Sequence, residues 1–171
     1  VRALVQRKLP LSMLRLSNGI ETETNLTLAG HERLVSAMEK YLSWRGCSGG
    51  KCMLMLGVSA DKRTARHALR EARRLLGHYG AVYIGPAMGS KWAANRFKGP
   101  YLRNTLWELG YAADTIETAV DWPQVKPLML AMEQAARDVF DGFGQRVHAF
   151  THLSHLYPQG SSIYSQYVWP I

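Results

Sequence analysis

Histidines at positions 148, 152 and 155 bring three imidazole groups into one short segment near the end of the chain. Spacings of four and three would place them on one face of a helix and favour a metal site. The segment is instead predicted to be a strand that runs into a turn, with His148 and His152 on one face and His155 opposed to them. The pattern therefore predicts no metal centre and leaves His152 as the candidate for a single functional histidine.

Two tyrosines follow on the last predicted strand, where their spacing of three places Tyr164 and Tyr167 on opposite faces. A buried tyrosine with a hydrogen-bonded hydroxyl is the structural explanation for such a residue. The functional alternative is a phenol that transfers protons, which requires a nearby cation to lower its pKa. Arg103 is the candidate for that cation.

Arg103 lies in a stretch from Lys91 to Glu117 that is rich in cations and aromatic rings. A Gly-Pro pair just before Arg103 predicts the start of a helix from about 100 to 109. Helical spacing places Arg103 on the face of Trp107, away from the leucine stripe. A solvated arginine that leans on Trp107 is one interpretation, and a guanidinium that binds an anion is the other.

Other short motifs carry little chemistry. The segment from Gly85 to Lys91 is similar to a phosphate loop, but its residue order and glycine spacing are wrong, and no G-x-G-x-x-G pattern occurs. Cys47 and Cys52 match neither a C-x-x-C redox motif nor half of a zinc site. We interpret them as free thiols, with a disulfide as the alternative.

Composition indicates one soluble globular domain over residues 1–171, with 47% hydrophobic and 20% charged residues. The formal charge of +8 favours an anionic partner without identifying it. No apolar run approaches the length of a membrane span and no signal segment opens the sequence, so the default expectation is a cytoplasmic protein. The first residue, Val1, and the run that ends at Ile171 suggest a piece of something longer.

The pattern of apolar residues and breakers predicts alternating helices and strands. In the first half we expect a helix over 2–9, a strand over 11–16, a long loop or lid over 18–30, a helix over 31–45, a strand buried on both faces over 52–58, a helix over 61–78 and a short strand over 81–84. In the second half we expect a helix over 100–109, strands over 111–120, 146–153 and 162–169, and a helix over 121–140. We prefer an α+β fold to a doubly wound parallel sheet: a ferredoxin-like antiparallel sheet, elaborated or duplicated, with helices mainly on one face.

The helix over 61–78 carries six cations, which predict either a solvated basic face or a surface for an anion. A basic ferredoxin-like module that binds RNA is therefore the alternative function. Such modules expose aromatic side chains within a characteristic motif on their middle strands. The strand over 52–58 has no aromatic residue and the motif does not occur, so we expect no nucleic acid partner.

Three motifs, in order along the chain, carry a family resemblance: P-Y-L-R-N (100–104), I-E-T-A-V-D-W (116–122) and H-L-S-H-L-Y-P-Q-G-S-S-I-Y (152–164). Together they resemble the C-terminal half of the FAD-linked oxidases of the vanillyl-alcohol oxidase superfamily, in the branch of alkyldihydroxyacetonephosphate synthase and its bacterial relatives. The resemblance runs over about 85–168.

The resemblance implies a substrate domain that lies over the isoalloxazine ring of an FAD bound by an N-terminal domain, which is absent here. By this resemblance, two motif residues, Tyr101 and Arg103, would bind an anionic or lipid-like substrate. Tyr164 would be a candidate proton acceptor. His152 stands where the synthase has an arginine, which brings the site nearer to the D-lactate and glycolate dehydrogenases. Both 2-hydroxy acid oxidation and synthase chemistry stay open, a homodimer is compatible with the sequence, and the isolated fragment is expected to be inactive.

Overall fold

The computed structural model of the chain describes all of its residues, 1–171, as seven α-helices and five strands. The helices are α1 (Arg2–Gln6), α2 (Gly19–Leu28), α3 (Glu32–Trp44), α4 (Lys62–Gly77), α5 (Ala87–Asn95), α6 (Leu102–Glu108) and α7 (Trp122–Gly142). The strands are β1 (Met13–Ser17), β2 (Met53–Gly57), β3 (Tyr111–Asp121), β4 (His148–Leu153) and β5 (Gly160–Pro170). A 3-10 turn over Arg96–Tyr101 leads into α6.

The five strands form one sheet in the order β2-β1-β4-β5-β3, and all paired neighbours are antiparallel. This arrangement confirms the predicted α+β fold. The longest pairing joins β3 to β5 along their whole length. At the start of β5, a Cβ on Gly160 would overlap the carbonyl oxygen of Val120, so only glycine fits this close approach.

Apolar side chains that alternate along the strands face α1, α4 and α7, and this side holds the core. Leu14 on β1 packs with Leu4 of α1 and with Ala72 and Leu75 of α4. A second cluster joins Leu153 of β4 and Ile163 of β5 to Val125 of α7. The apolar packing therefore lies mainly on one face of the sheet, which we call the core face.

The opposite face of the sheet, which we call the polar face, carries polar side chains beside the buried apolar residues Met55 and Phe150. Strand alternation and the pairing register place Arg15 and Ser17 of β1, His152 of β4, Tyr164 of β5 and Glu117 of β3 on it. Helix α2 contacts β1 and β4. Toward β3 this polar face opens to solvent, because Glu117 is exposed and Tyr164 is only half-buried.

A loop and a strand that were predicted in the first half are both absent. The loop expected over 18–30 contains helix α2, whose N-cap Asn18 accepts a hydrogen bond from the backbone N–H of Glu21. The strand expected over 81–84 is absent: Tyr83 is exposed, and the Arg73 guanidinium lies 3.7 Å from its ring centroid. That short segment has no partner strand, so its β-forming residues remain without regular structure.

Strand β2 also differs from its prediction. Its continuous apolar run was expected to be buried on both faces, as in a parallel sheet. It is instead an edge strand of the antiparallel sheet, and Met55 is its only fully buried residue. The other predicted helices and strands lie close to their expected positions, including α4, whose N-cap Asp61 accepts hydrogen bonds from two backbone N–H groups, whereas α5 was not predicted.

The predicted helix over 100–109 is confirmed as α6, although residues 96–101 wind as a 3-10 turn. No residue from the start of α5 to the end of α6 is buried. Phe97, Tyr101 and Trp107 present most of their surface to solvent. We call residues 96–108 the aromatic segment.

No helix of the chain is both long enough and apolar enough to cross a bilayer.

Candidate active site

Arg15 and His152 come together on the polar face because β1 and β4 pair over only two residues at their ends. Ser17 lies opposite His152 in this pairing, and Arg15 lies two residues earlier on the same face of β1. The Nη2 atom of Arg15 is 3.1 Å from Nδ1 of His152. A guanidinium and an imidazole 137 residues apart in sequence are therefore in direct contact.

Glu21, in the first turn of α2, completes this group. Its Oε1 atom lies 2.6 Å from Arg15 Nη2 and 3.0 Å from His152 Nδ1. The side chains of Glu21 and His152 are only 3% and 5% exposed, so water does not compete for these contacts. A buried carboxylate needs such partners, because its desolvation would otherwise be too costly.

Asn18 fixes the start of α2 and so fixes Glu21. Its backbone N–H donates to the carbonyl of Thr151 at 3.0 Å, and its side-chain amide donates to Glu133 on α7 at 2.7 Å. In a capping box the third helical residue bonds back to the N-cap N–H. Here Thr151 already accepts that bond, and the Glu21 carboxylate turns toward Arg15 and His152 instead.

The electrostatics of the group keep Glu21 ionised. Burial alone would raise the pKa of Glu21, but the hydrogen bond with His152 and the charge of Arg15 outweigh it and lower the pKa below its ordinary value. Oε2 of Glu21 and Nε of Arg15 are buried and have no hydrogen-bond partner in the chain. The group is therefore held mainly through one carboxylate oxygen, Oε1.

Tyr164 covers the His152 ring. Their ring centroids are 4.7 Å apart with an interplanar angle of 27°, which is a stacked arrangement. The pairing of β4 with β5 places these two residues opposite each other. Tyr167 lies on the core face and is buried, which confirms that the two tyrosines lie on opposite faces.

A second glutamate and histidine pair lies near Tyr164, at the open edge of the sheet. Glu117 accepts a hydrogen bond from Ser162 Oγ at 2.9 Å, and Nδ1 of His155 lies 3.2 Å from the same carboxylate oxygen. The Ser162 hydrogen bond, followed by the His155 contact, lowers the pKa of Glu117. Both side chains of this pair are largely exposed, at 43% for Glu117 and 64% for His155.

The position of His155 differs from its prediction. It was expected on the face opposite His152, but the chain leaves the strand after Leu153 and His155 bonds to groups of the polar face. No group of three or more histidine, cysteine, aspartate or glutamate side chains in the chain is arranged to hold a metal ion.

Arg103 and Tyr101 lie apart from this site. Both are exposed, and neither forms a hydrogen bond or ion pair through its side chain. Helix α6, which carries Arg103, packs against β3. The structure therefore brings His152 and Tyr164 into contact and leaves the other two predicted residues at the surface, where substrate binding stays a prediction.

Sequence reasoning missed Arg15 and Glu21, although both have a local signal. In the run L-R-L of β1 the two leucines face the core, so the arginine between them faces the other side. The pattern N-x-x-E, from Asn18 to Glu21, is a helix-start signature hidden in a stretch rich in threonine and asparagine. Neither signal shows that the two residues meet.

The sequence matches the family described as FAD linked oxidases, C-terminal domain, over residues 1–168. The chain belongs to this family. It is 24% identical over 160 residues to the alkyldihydroxyacetonephosphate synthase of Dictyostelium discoideum, which covers 90% of this chain and 26% of the synthase. The family domain thus accounts for nearly the whole chain, and the chain spans about a quarter of this relative.

Solved structures of alkyldihydroxyacetonephosphate synthase show the same fold. Two crystal forms, in space groups P212121 and P1, each superpose with a TM-score of 0.82 over 99% of this chain and 32% of theirs, at 21% and 19% identity. The family match confirms the resemblance drawn from the three motifs, and these structures confirm the fold.

Family membership implies FAD, and the polar face of this FAD-linked oxidase domain presents two side chains with free polar atoms. Nε2 of His152 has no hydrogen-bond partner, yet it is not among the buried unpartnered atoms, so it reaches solvent. The same holds for the Tyr164 hydroxyl. These groups suit a substrate held against a flavin ring, whereas the sequence offers no glycine-rich loop for the pyrophosphate.

Proposed function

We propose that the chain is the substrate-binding domain of an FAD-dependent dehydrogenase or oxidase that acts on a 2-hydroxy acid. One observation carries this proposal: a buried group of Arg15, Glu21 and His152, stacked by Tyr164, on the polar face of a domain from this family. An imidazole held by a carboxylate is suited to accept the proton of a hydroxyl group.

The substrate in this proposal is anionic. The chain carries a formal charge of +8, and guanidinium groups bind carboxylate or phosphate through parallel hydrogen bonds. Arg103 is free to bind such a group, since no acidic side chain pairs with it. Arg15 is already engaged by Glu21, so its charge acts mainly within the buried group.

The chain's own residues have distinct parts in the reaction. His152 accepts the hydroxyl proton at Nε2, and Tyr164 holds the imidazole plane by stacking and offers its hydroxyl to the substrate. FAD, when bound, supplies the acceptor for the two electrons that leave the substrate as hydride. We keep Arg103 and Tyr101, which lie apart from His152 in this chain, as the proposed contacts of the anionic end of the substrate.

A second candidate function is synthase chemistry like that of the relatives. The match to alkyldihydroxyacetonephosphate synthase favours it. The residues of the site favour oxidation instead, because His152 stands where the resemblance places an arginine. A substrate phosphate would suit Arg103 as well as a carboxylate does, so substrate tests must include both classes.

The N-terminal FAD domain of the same polypeptide is the proposed partner. The aromatic segment (96–108) is exposed along its whole length, with Phe97 74%, Tyr101 70% and Trp107 64% exposed. Exposed apolar surface of this kind marks an interaction site. We place the FAD domain against this segment and the neighbouring open edge of the polar face.

The test uses the full-length protein. It should purify with a yellow flavin chromophore or bind added FAD, and anaerobic addition of D-lactate, glycolate or 2-hydroxyglutarate should bleach the flavin band. Conversion of an acylated dihydroxyacetone phosphate and a fatty alcohol to an ether product, without net flavin reduction, would support the synthase instead. Protein that neither contains nor binds FAD would refute both.

Arg103→Ala separates substrate binding from a surface role. We expect KM to rise by about 10- to 100-fold, the loss of one charge-assisted contact of about 1.5–3 kcal/mol, with little change in stability. Steady-state kinetics measure this, with Arg63→Ala on the exposed face of α4 as the matched control. Equal kinetics for the two variants would assign Arg103 to the solvated surface.

A further inference from the structure

The Arg15, Glu21 and His152 group contains a carboxylate that cannot itself meet a substrate. The Glu21 side chain is 3% exposed, and its Oε1 faces two partners, Arg15 and His152. Burial opposes ionisation of Glu21, but the hydrogen bond with His152 and the charge of Arg15 outweigh it, so the pKa is lowered and Glu21 is ionised at neutral pH. The carboxylate can therefore act on the chemistry only through Arg15 and His152.

Three atoms form a closed triangle, and each of the two arrangements of protons leaves one like pair in contact, either two acceptors or two donors. Oε1 of Glu21 is 2.6 Å from Arg15 Nη2 and 3.0 Å from His152 Nδ1, and the two nitrogens are 3.1 Å apart. If Arg15 donated to Nδ1, that nitrogen and Oε1 would be two acceptors in contact, which is repulsive. If Nδ1 carries the proton, Oε1 accepts from both nitrogens through its two lone pairs.

The second arrangement is also the stronger one. A hydrogen bond from an N–H to a carboxylate is charge-assisted and about twice as strong as one between neutral groups. The bond is buried, so water does not weaken it. A neutral imidazole that carries its proton on Nδ1 must have a free lone pair on Nε2.

We propose that Glu21 is a positioning residue that holds the proton of His152 on Nδ1, and thereby makes Nε2 the atom that accepts the substrate proton. This inference rests on the proposed function of His152 as the base. Arg15 keeps Glu21 anionic, so the carboxylate does not compete for the proton, and stacking by Tyr164 fixes the ring plane.

The proton step balances within these groups. The hydroxyl hydrogen of the substrate transfers to Nε2 as a proton. The O–H bond breaks, its electron pair stays on the oxygen, and His152 becomes an imidazolium. The Glu21 carboxylate, 3.0 Å from Nδ1, stabilises that cation. Arg15 opposes it with a positive charge at 3.1 Å, so the net benefit depends on Glu21.

Other charged or titratable groups face His152 from each neighbouring element. They are Arg15 on β1, Glu21 on α2, Tyr164 on β5 and, further away, Glu117 on β3. Of these, only Glu21 accepts a hydrogen bond from the imidazole. If substitution of Glu21 changes the tautomer of His152, the change therefore reports the loss of the Glu21–His152 hydrogen bond.

Glu133 offers a matched control. It is a second buried carboxylate, 4% exposed in its side chain, and it is paired with Arg137 at 3.2 Å. It also accepts a hydrogen bond from Asn18. Glu133→Gln removes this buried charge but keeps an amide oxygen that can accept the Asn18 hydrogen bond, and Glu133 makes no hydrogen bond to His152.

The test combines a spectroscopic readout with kinetics on the full-length, FAD-loaded protein. With nitrogen-15 histidine labelling, the signals lost in His152→Gln assign His152, and wild-type protein should show the proton on Nδ1. Glu21→Gln should lose this single tautomer, whereas Glu133→Gln should keep it. Flavin reduction by the active 2-hydroxy acid should fall about 100-fold in kcat for Glu21→Gln, with KM within about threefold.

Two results would overturn the inference: a wild-type His152 that carries its proton on Nε2, or a Glu21→Gln variant with the kcat of Glu133→Gln. The wild-type spectrum needs only the His152→Gln assignment, so it decides the tautomer even if Glu21→Gln does not fold. Failure of the proposed function is a separate result, namely a wild-type protein that binds no FAD or is reduced by no hydroxy acid.

Discussion

The two glutamate and histidine pairs near Tyr164 have almost the same geometry and opposite surroundings. Glu21 lies 3.0 Å from His152, and Glu117 lies 3.2 Å from His155. The first pair is buried and is also in contact with Arg15. The second pair is largely exposed at the edge of the sheet. Exposed pairs contribute little because water and salt compete with them, while a buried pair fixes its geometry at the cost of desolvation. Burial, and not distance, therefore makes the first pair the candidate for chemistry.

The largest difference between the pairs is expected in activity. His152→Ala should lower kcat of the full-length enzyme by about 10²- to 10⁴-fold, the contribution of a positioned general base. His155→Ala should stay within about threefold, since its exposed contact is worth less than about 1 kcal/mol. Single-turnover flavin reduction measures both. Similar losses for the two variants would remove the distinction drawn from burial.

The two pairs should also differ in how much they contribute to the unfolding free energy. Glu21→Ala leaves the Arg15 charge beside a buried, unpaired imidazole and should cost about 3–5 kcal/mol of unfolding free energy. Denaturant titration, with Glu117→Ala measured alongside, would test this expectation. A cost below about 1 kcal/mol for Glu21→Ala would mean that water enters the group freely.

The pH dependence of that stability follows from the lowered pKa of Glu21. Because the folded pKa lies below the unfolded one, the stabilisation is complete above pH 4.5, the ordinary glutamate pKa, and is lost as pH falls through the folded value. The gap in unfolding free energy between wild type and Glu21→Gln should therefore be constant near neutrality and shrink in acid. Denaturation curves at several pH values measure it, and a gap that grows in acid would contradict the assignment.

An intermediate effect is expected at the N-cap that positions the buried pair. Asn18→Ala removes the cap of α2 and the hydrogen bond to Glu133, and should cost about 1–2 kcal/mol. Asn18→Asp keeps the cap but places a second carboxylate beside Glu133, so it should be destabilising too. Thermal unfolding of the two variants would show whether both contacts matter.

The smallest effect is expected for the exposed pair itself. Glu117→Gln should change the unfolding free energy by no more than about 0.5 kcal/mol. Any change should shrink further as salt is added, because exposed charges are screened. Comparison of low-salt and high-salt unfolding curves tests this point, and a larger effect independent of salt would show that Glu117 is in fact sheltered.

Particular residues show which elements the sequence predicts and which it does not. The alternation in β5 and the helical spacing in α7 predicted both elements, since burial of one face leaves a regular apolar pattern. The same logic failed at α2, where threonine and asparagine favour turns locally and the helix depends on Asn18 as its cap and on contacts made far away in sequence. It failed at 81–84 because a strand needs a partner, which composition does not show.

Ordered motifs and local periodicity in the sequence establish the family and the α+β architecture, and they predict two residues of the candidate site, His152 and Tyr164. The fold then brings Arg15 and Glu21 to them, from 137 and 131 residues away from His152 in the sequence. Hydrophobic patterning reports which face of an element is buried, but it does not report which polar groups meet across the sheet. Those contacts depend on the strand order and on how α2 lies against β1 and β4.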